Sequence, residues 1–305
     1  MSLFGRLKGN GESGFGYNST AEEVTAGLDL SGRTYLLTGC NSGLGYETLR
    51  VLTLRGAQVI GAARTLEKAT KACESVGGST IPLACELSEP DHVREAVATV
   101  RQQGLSLSGI IANAGIMMLP KATVKHGLER QFLTNHVGHF ILVTGLLEQL
   151  AEDGRVVMLS SMGHRMTYRQ GIRFDDLDAS KGYSSGQAYG QSKLANILFS
   201  NFLATRLKAH QTSNAVHPGV INTNLARHLP KLLTDVYGPV SDVLINKSIA
   251  QGAATQVYVA THPSLEKVTG KYFADCNLAR TSRHGTNAQM ARDLWEKTES
   301  LVAEL

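Results

Sequence analysis

Six apolar runs of strand length, separated by segments of helical period, constrain this chain more than any other feature. The runs fall at 34–38, 58–63, 80–85, 109–113, 155–160 and 214–217, and the helical segments at 44–55, 65–76, 90–103, 128–150 and 189–208. The strand runs are continuously apolar and do not alternate with polar residues, as expected of strands buried on both faces of a parallel sheet. Strand–helix alternation sustained over so long a stretch calls for right-handed crossovers. The expected architecture is therefore α/β, a doubly wound parallel sheet with helices on both faces. No repeat and no linker-like shift in composition interrupts it, so residues 29–305 are expected to form one domain. Residues 1–28 read as a mobile or surface-hugging arm followed by a short helix. Order is expected from about Thr20, where Thr20 and Glu23 fit a capping box.

Composition removes several classes of function. The chain is 42% apolar and 18% charged, ample for a core, and its net charge of +4 carries no basic runs. That is a poor electrostatic footprint for nucleic acid or an anionic membrane. Cys40, Cys73, Cys85 and Cys276 are far apart and form no CxxC pair. They argue against a disulfide framework or structural zinc and for a reducing compartment. The first 16 residues offer no apolar core of signal-peptide length, and no stretch approaches the roughly 20 apolar residues needed to span a bilayer. A cytoplasmic protein without an integral membrane segment is expected. Glycine is the unusual number, 31 of 305 residues, while proline is scarce at 7.

The glycines matter by position. Gly39, Gly43 and Gly45 sit in Thr38-Gly-Cys-Asn-Ser-Gly-Leu-Gly45, between the first strand and the next helix. Glycines at this turn let backbone approach a pyrophosphate, whose charge lies at the positive helix N-terminus. Gly39, Asn41, Ser42, Gly43, Leu44 and Gly45 are therefore candidate cofactor contacts. The second strand ends at Arg64, where an NAD site would place an acidic residue for the ribose hydroxyls. A guanidinium suits a 2′-phosphate, which favours NADP(H) over NAD(H). Asn113, Ala114 and Gly115 close the fourth strand, where open α/β sheets bind ligands.

Tyr189 and Lys193 stand at i, i+4, one turn apart on one helix face. A neighbouring cation favours phenolate and is expected to lower the Tyr pKa from about 10, making the phenol a usable proton donor or acceptor. Ser160 and Ser161 end the fifth strand on the same sheet edge.

Together, Thr38–Gly45, Asn113–Gly115, Asn135, Ser161 and Tyr189–Lys193 resemble the short-chain dehydrogenase/reductase family, whose fold is a single Rossmann-type sheet. The resemblance implies roles. Tyr189 would be the general acid/base, and Lys193 would tune it and hold the nicotinamide ribose. Ser161 would polarise the substrate oxygen, and Asn135 would hold a water in a proton relay from Lys193. Pro218, Gly219, Val220 and Thr223 would wrap the nicotinamide end. Glu86 and Leu87 take the place of the family's Asp-Leu near the adenine. The family is commonly dimeric or tetrameric, so a homodimer or tetramer is expected.

Ser161 and Tyr189 are 28 residues apart (189 − 161), about twice the usual family spacing, so about 162–188 reads as a substrate insert. The segments 135–140, 189–199 and 270–275 resemble the retinol dehydrogenase and WW-domain oxidoreductase branch, which favours lipophilic alcohols and carbonyls. The branch's vertebrate members often carry a membrane-anchoring N-terminus, for which residues 1–16 offer no apolar stretch. Residues 225–250 read as a substrate lid. Met117, Met118, Met162 and Met166 are either gap fillers or a flexible lipophilic wall. His136 and His139 lack a carboxylate or Cys to complete a ligand set, so no metal is expected. A C-terminal stripe of Met290, Leu294, Trp295, Leu301, Val302 and Leu305 either covers the sheet or meets a second subunit. The leading expectation is an NADP(H)-dependent alcohol dehydrogenase or carbonyl reductase. The alternatives are a catalytically silent cofactor-binding regulator and reduction of an activated C=C bond.

Overall fold

The computed structural model describes residues 8–221 and 247–305. In chain order the elements are β1 (Thr34–Thr38), α1 (Gly43–Leu54), β2 (Gln58–Ala63), α2 (Leu66–Val76), β3 (Thr80–Ala84), α3 (Pro90–Gln102) and β4 (Leu107–Ala112). A small hairpin, β5 (Val124–Lys125) and β6 (Leu128–Glu129), leads into a composite helix α4. It runs through Arg130–Phe132, a π-helical stretch Leu133–Val137, and Gly138–Gly145. Then come β7 (Leu150–Leu159), α5 (Ser185–Ala204), β8 (Thr212–His217), α6 (Ile249–Thr261), β9 (Tyr272–Ala274), β10 (Asn277–Leu278) and α7 (Ala288–Glu304).

The main sheet has the order β10-β9-β8-β7-β4-β1-β2-β3, parallel except for the β9–β10 pair. Strand order reverses beside β1, whose neighbours are β2 and β4. Crevices of open α/β sheets lie at such a reversal, outside the strands' carboxyl ends. Successive strand residues feed opposite faces, as the two-residue period requires. Leu36, Ile60, Ile110 and Val156 enter one core with α3, α4, α5 and α7. Leu37, Val59, Ile111 and Val157 enter the other with α1, α2 and α6. Burial on both faces is the physical reason for the continuous apolar runs.

The C-terminal helix covers the sheet: Leu294 is fully buried and Trp295 stacks on Phe199 at 5.5 Å and 5°. His136 and His139 are core residues too. His139 links Thr38 Oγ1 (2.9 Å) and the Asn135 carbonyl (2.9 Å), and His136 bonds Thr298 Oγ1 at 3.0 Å.

Several boundaries differ from expectation. The segment 128–150 is not one helix. It opens as a strand, passes through α4, and its last residue starts β7, five residues before the expected 155. Helix α5 begins four residues before Tyr189, so the tyrosine lies in its second turn. The reciprocal Thr20/Glu23 capping bonds form (2.8 and 3.2 Å), but over a single 3₁₀ turn, Glu23–Thr25. Order also precedes Thr20. Ser13 N donates to Asn277 Oδ1 at 3.0 Å, Phe15 packs edge-on against Tyr258, and Gln251 Nε2 donates to the Asn18 carbonyl. From residue 8 the arm hugs the surface. Of the expected lid at 225–250, residues 225–246 lie outside the described residues, as does Thr223.

Candidate active site

The glycine loop is built by close backbone approaches. Gly39 N and Cys40 N both donate to the Ala62 carbonyl (2.8 and 3.1 Å), which ties the loop to the end of β2. Gly39 (φ 71°) and Gly43 (φ 51°) take left-handed backbone that other residues adopt at a cost. A side chain at Gly45 would collide with the Gly39 carbonyl, and a Cβ at Gly39 would stand 3.1 Å from Ala114. The loop and the Asn113–Gly115 segment thus touch through bare backbone. Thr38 clamps them. Its hydroxyl accepts from Asn113 N and Ala114 N at 2.9 Å each, while Asn113 Nδ2 donates to the Thr38 carbonyl at 2.8 Å. Ser42 is the N-cap of α1 without a side-chain capping bond, so the first-turn N–H groups have no side-chain acceptor. A helix N-terminus whose first-turn N–H groups have no side-chain acceptor, in a loop packed backbone to backbone, suits the phosphates of a dinucleotide.

Ser161, Tyr189, Lys193 and Asn135 converge at the carboxyl end of β7. Tyr189 is 4% exposed, its ring against Gly163, where a Cβ would stand 2.8 Å from Cε1 and 3.3 Å from Ser161 Oγ. Ser161 Oγ accepts from Gly163 N at 3.0 Å, which fixes the serine rotamer facing the phenol. Lys193 Nζ lies 5.9 Å from the Tyr189 ring centre and donates to the Leu159 carbonyl at 3.0 Å. Ser160, the other member of the serine pair, faces away and donates to the Lys193 carbonyl at 2.8 Å. Asn135 sits in the π-helical stretch of α4. Its Oδ1 accepts from Ile116 N (2.8 Å), and its Nδ2 donates to the Ile116 carbonyl and to Ser192 Oγ (2.9 Å each). Single π-turns inside α-helices are frequently found at functional sites. A Cβ at Gly115 would stand 3.1 Å from Asn135 Oδ1 and 3.4 Å from Lys193 Nζ, so this glycine keeps open the space between them.

Comparisons with known proteins show the family. Residues 33–174 match the family model described as short chain dehydrogenase. The chain is 41% identical over 321 residues to short-chain dehydrogenase TIC 32 A, chloroplastic, of Brassica napus, covering 100% of both chains. The chain belongs to the short-chain dehydrogenase/reductase family. It is also 38% identical to retinol dehydrogenase 12 of Mus musculus, over 91% of this chain and 89% of that one. Both the family and the retinol dehydrogenase-like branch are therefore established. A crystal structure of an uncharacterised protein from Mycobacterium paratuberculosis superposes with a TM-score of 0.74 at 32% identity, covering 92% of this chain and 97% of that one. The family fold binds NAD(P)(H), and the chain is an oxidoreductase of this class.

In this short-chain dehydrogenase, burial governs the titration of the constellation. It pushes the Tyr189 phenol up to about 12, although the hydrogen bond with Ser161 pulls the other way. It pushes the Lys193 ammonium down to about 8. The i, i+4 spacing predicted a lowered phenol. The difference arises because burial of the phenol is the largest cause of its shift, while Lys193 Nζ turns to the Leu159 carbonyl.

The remaining candidates are distributed around this centre. Arg64 is exposed just beyond β2, next to Thr65, the N-cap of α2. Glu86 Oε1 accepts from Ser88 N (3.1 Å) and Ser88 Oγ (2.9 Å), and Leu87 is buried, its backbone tight against Gly138. Pro218, Gly219 and Val220 follow β8, with Gly219 at φ 99°. Two features escaped sequence reasoning. His217 Nδ1 accepts from Met162 N and Gly219 N (3.3 and 3.4 Å), bridging the serine loop to this turn. Ser192, the hydroxyl partner of Asn135, lies within the Tyr189–Lys193 motif, whose spacing alone gives it no role.

Proposed function

We propose that this enzyme interconverts an alcohol and its ketone or aldehyde with NADP(H), Tyr189 moving the proton. One observation carries the reading: the buried Tyr189 phenol and Lys193 ammonium meet the Ser161 hydroxyl at the carboxyl end of β7, with Lys193 Nζ beside Gly115. When bound, the nicotinamide cofactor supplies or accepts the hydride at the carbonyl carbon. Ser161 Oγ donates a hydrogen bond to the substrate oxygen, holding it beside the phenol. Tyr189 gives its proton to the developing alkoxide in reduction and takes it back in oxidation. Lys193 stabilises the phenolate by charge, and Asn135 ties the Ile116 backbone to the Ser192 hydroxyl behind them. Gly39, Asn41, Ser42, Gly43, Leu44 and Gly45 are assigned to the pyrophosphate. Asn113, Ala114 and Gly115 are assigned to the ring and ribose beyond it, and Pro218, Gly219 and Val220 to the nicotinamide end.

A lipophilic substrate is supported by the apolar residues around the site. Met162 and Met166, which follow Ser161, are 52% and 45% exposed, and Val220, which follows Gly219, is 40% exposed. Met117 and Met118, half-buried, follow Ile116, which Asn135 holds, and the adjacent Leu119 carbonyl accepts from the Tyr183 hydroxyl at 2.7 Å. Residues 162–188 are proposed as the specificity segment. Four buried free cysteines fit a reducing compartment, and the cytoplasm is the proposed one. Among the described residues no helix is long and apolar enough to cross a membrane.

NADP preference rests on Arg64, an exposed cation just beyond β2 in the place where an NAD site would carry an acidic residue. With a panel of lipophilic aldehydes and ketones, kcat/KM is expected to be about 10- to 100-fold higher with NADPH than with NADH, the value of one or two charge-assisted hydrogen bonds. Arg64→Glu should erase that preference. A wild-type preference for NADH would refute the assignment.

A further inference from the structure

The residues that hold the nicotinamide-end turn in place come from two distant parts of the chain, and neither has a role in the chemistry above. Lys247 is a buried lysine, its side chain 1% exposed, with Nζ 2.7 Å from Asp275 Oδ1 and 4.7 Å from the centre of the Tyr17 ring. Its backbone N–H donates to the Val220 carbonyl at 2.8 Å, and Ile221 and Lys247 form an isolated parallel bridge. Its aliphatic stem lies where a side chain at Gly219 would stand: a Cβ there would come within 2.7 Å of Lys247 Cδ and 3.0 Å of Cε. Lys247 therefore fills the space left by Gly219 and pins the Gly219–Ile221 backbone by contact and hydrogen bond together.

Asp275 holds the other end. It and Cys276 are consecutive non-glycine residues in left-handed backbone, φ 51° and 60°. They are the two loop residues of the β9–β10 hairpin, a tight turn that calls for positive φ at both positions. Here Cys276 N donates to Thr255 Oγ1 at 3.2 Å, the Asp275 carbonyl accepts from Asn277 Nδ2 at 2.7 Å, and Asp275 Oδ2 binds Lys8 of the arm at 2.9 Å. Lys247 is buried while the Asp275 side chain is 22% exposed, and an ion pair withdrawn from water even on one side is a weak device for stability. What a fixed charge pair adds is a defined position.

We propose that Lys247 and Asp275 are positioning residues that set the Pro218–Ile221 turn, and through it the nicotinamide end of the cofactor. The proposal rests on the reading that this turn holds that end. His217, which touches both Gly219 N and Met162 N, extends the same restraint to the backbone beside Ser161. The pair acts on where the ring lies and leaves the adenine half, on the far side of β1, untouched.

The test compares Lys247→Met, which keeps the stem but not the charge, with Asp275→Asn, a residue that tolerates left-handed backbone. NADPH binding is measured by fluorescence, with NADH in parallel. Binding of 2′,5′-ADP, which carries only the adenine half, is measured by calorimetry. Both variants are expected to weaken NADPH about 10-fold while leaving 2′,5′-ADP within about twofold, the loss of one charge-fixed contact. Retained 2′,5′-ADP binding also shows that the variants fold. Wild-type affinity for NADPH in both variants would overturn the proposal. A parallel loss of NADPH and 2′,5′-ADP would overturn it too, because the pair would then be merely structural. A wild-type chain that binds 2′,5′-ADP but gains nothing from the nicotinamide half would refute the turn's assignment, and the proposal with it.

Discussion

Tyr189→Phe is expected to lower kcat/KM about 1,000-fold, the mid-range of a general acid/base contribution, while the Kd for NADPH stays within about twofold. The substitution deletes one oxygen. The ring keeps its packing against Gly163, and no glycine-loop contact passes through the phenol. Thermal stability should hold or rise slightly, because a buried polar group is removed from a site where burial already disfavours its ionised form. A rate loss with intact cofactor binding and an unchanged melting temperature is the signature of a proton-transfer residue. Near-wild-type turnover in this variant would sink the mechanism.

The second large effect concerns acid stability. Unfolding free energy is expected to fall by about 4 kcal/mol between pH 7.5 and 5.5 from three histidines alone. Burial lowers His136 to about 3, and His139 and His217 to about 4. In the unfolded chain each titrates near 6.5, so between 6.5 and 4 the unfolded state binds more protons than the folded one. The stability these groups confer is fully present above pH 6.5 and is lost as pH falls, each group costing about 1.4 kcal/mol one unit below its unfolded pKa. The hydrogen bonds agree with neutral rings: His217 Nδ1 accepts from two N–H groups, which an imidazolium cannot do. Urea melts at the two pH values check this. A difference below about 1 kcal/mol would mean that the rings titrate at nearly ordinary values in the folded protein.

What was readable from sequence was what local spacing encodes. The β1–loop–α1 unit and the Tyr189–Lys193 turn each lie within a dozen residues, and the structure forms both where they were expected. The two-faced core explains why the strands were legible and the 128–150 segment was not. Helix α4 is buried along nearly its whole length, so its apolar residues show no helical stripe, and Leu128 and Leu150 looked like more of the same. The start of α5 was missed because Ser185 and Gly186 carry no apolar signal. The direction of the Tyr189 shift could not be read from spacing, since it depends on burial and on where Lys193 Nζ points. Least legible was the Lys247–Asp275 pair, whose members are 28 residues apart (275 − 247) and are brought together by tertiary structure. Asp275 lay in a segment singled out by family resemblance, but nothing in the sequence pointed to its partner.

The central claim is that the Ser161–Tyr189–Lys193 centre handles a carbonyl oxygen and its carbon. The most direct test supplies NADPH deuterated at C4 with an α,β-unsaturated lipophilic aldehyde, which offers both a C=O and an activated C=C bond, and locates the label by NMR. Deuterium is predicted on the carbinol carbon of an unsaturated alcohol. Deuterium on the β-carbon of a saturated aldehyde would contradict the account. So would the absence of any label transfer from a cofactor that binds tightly.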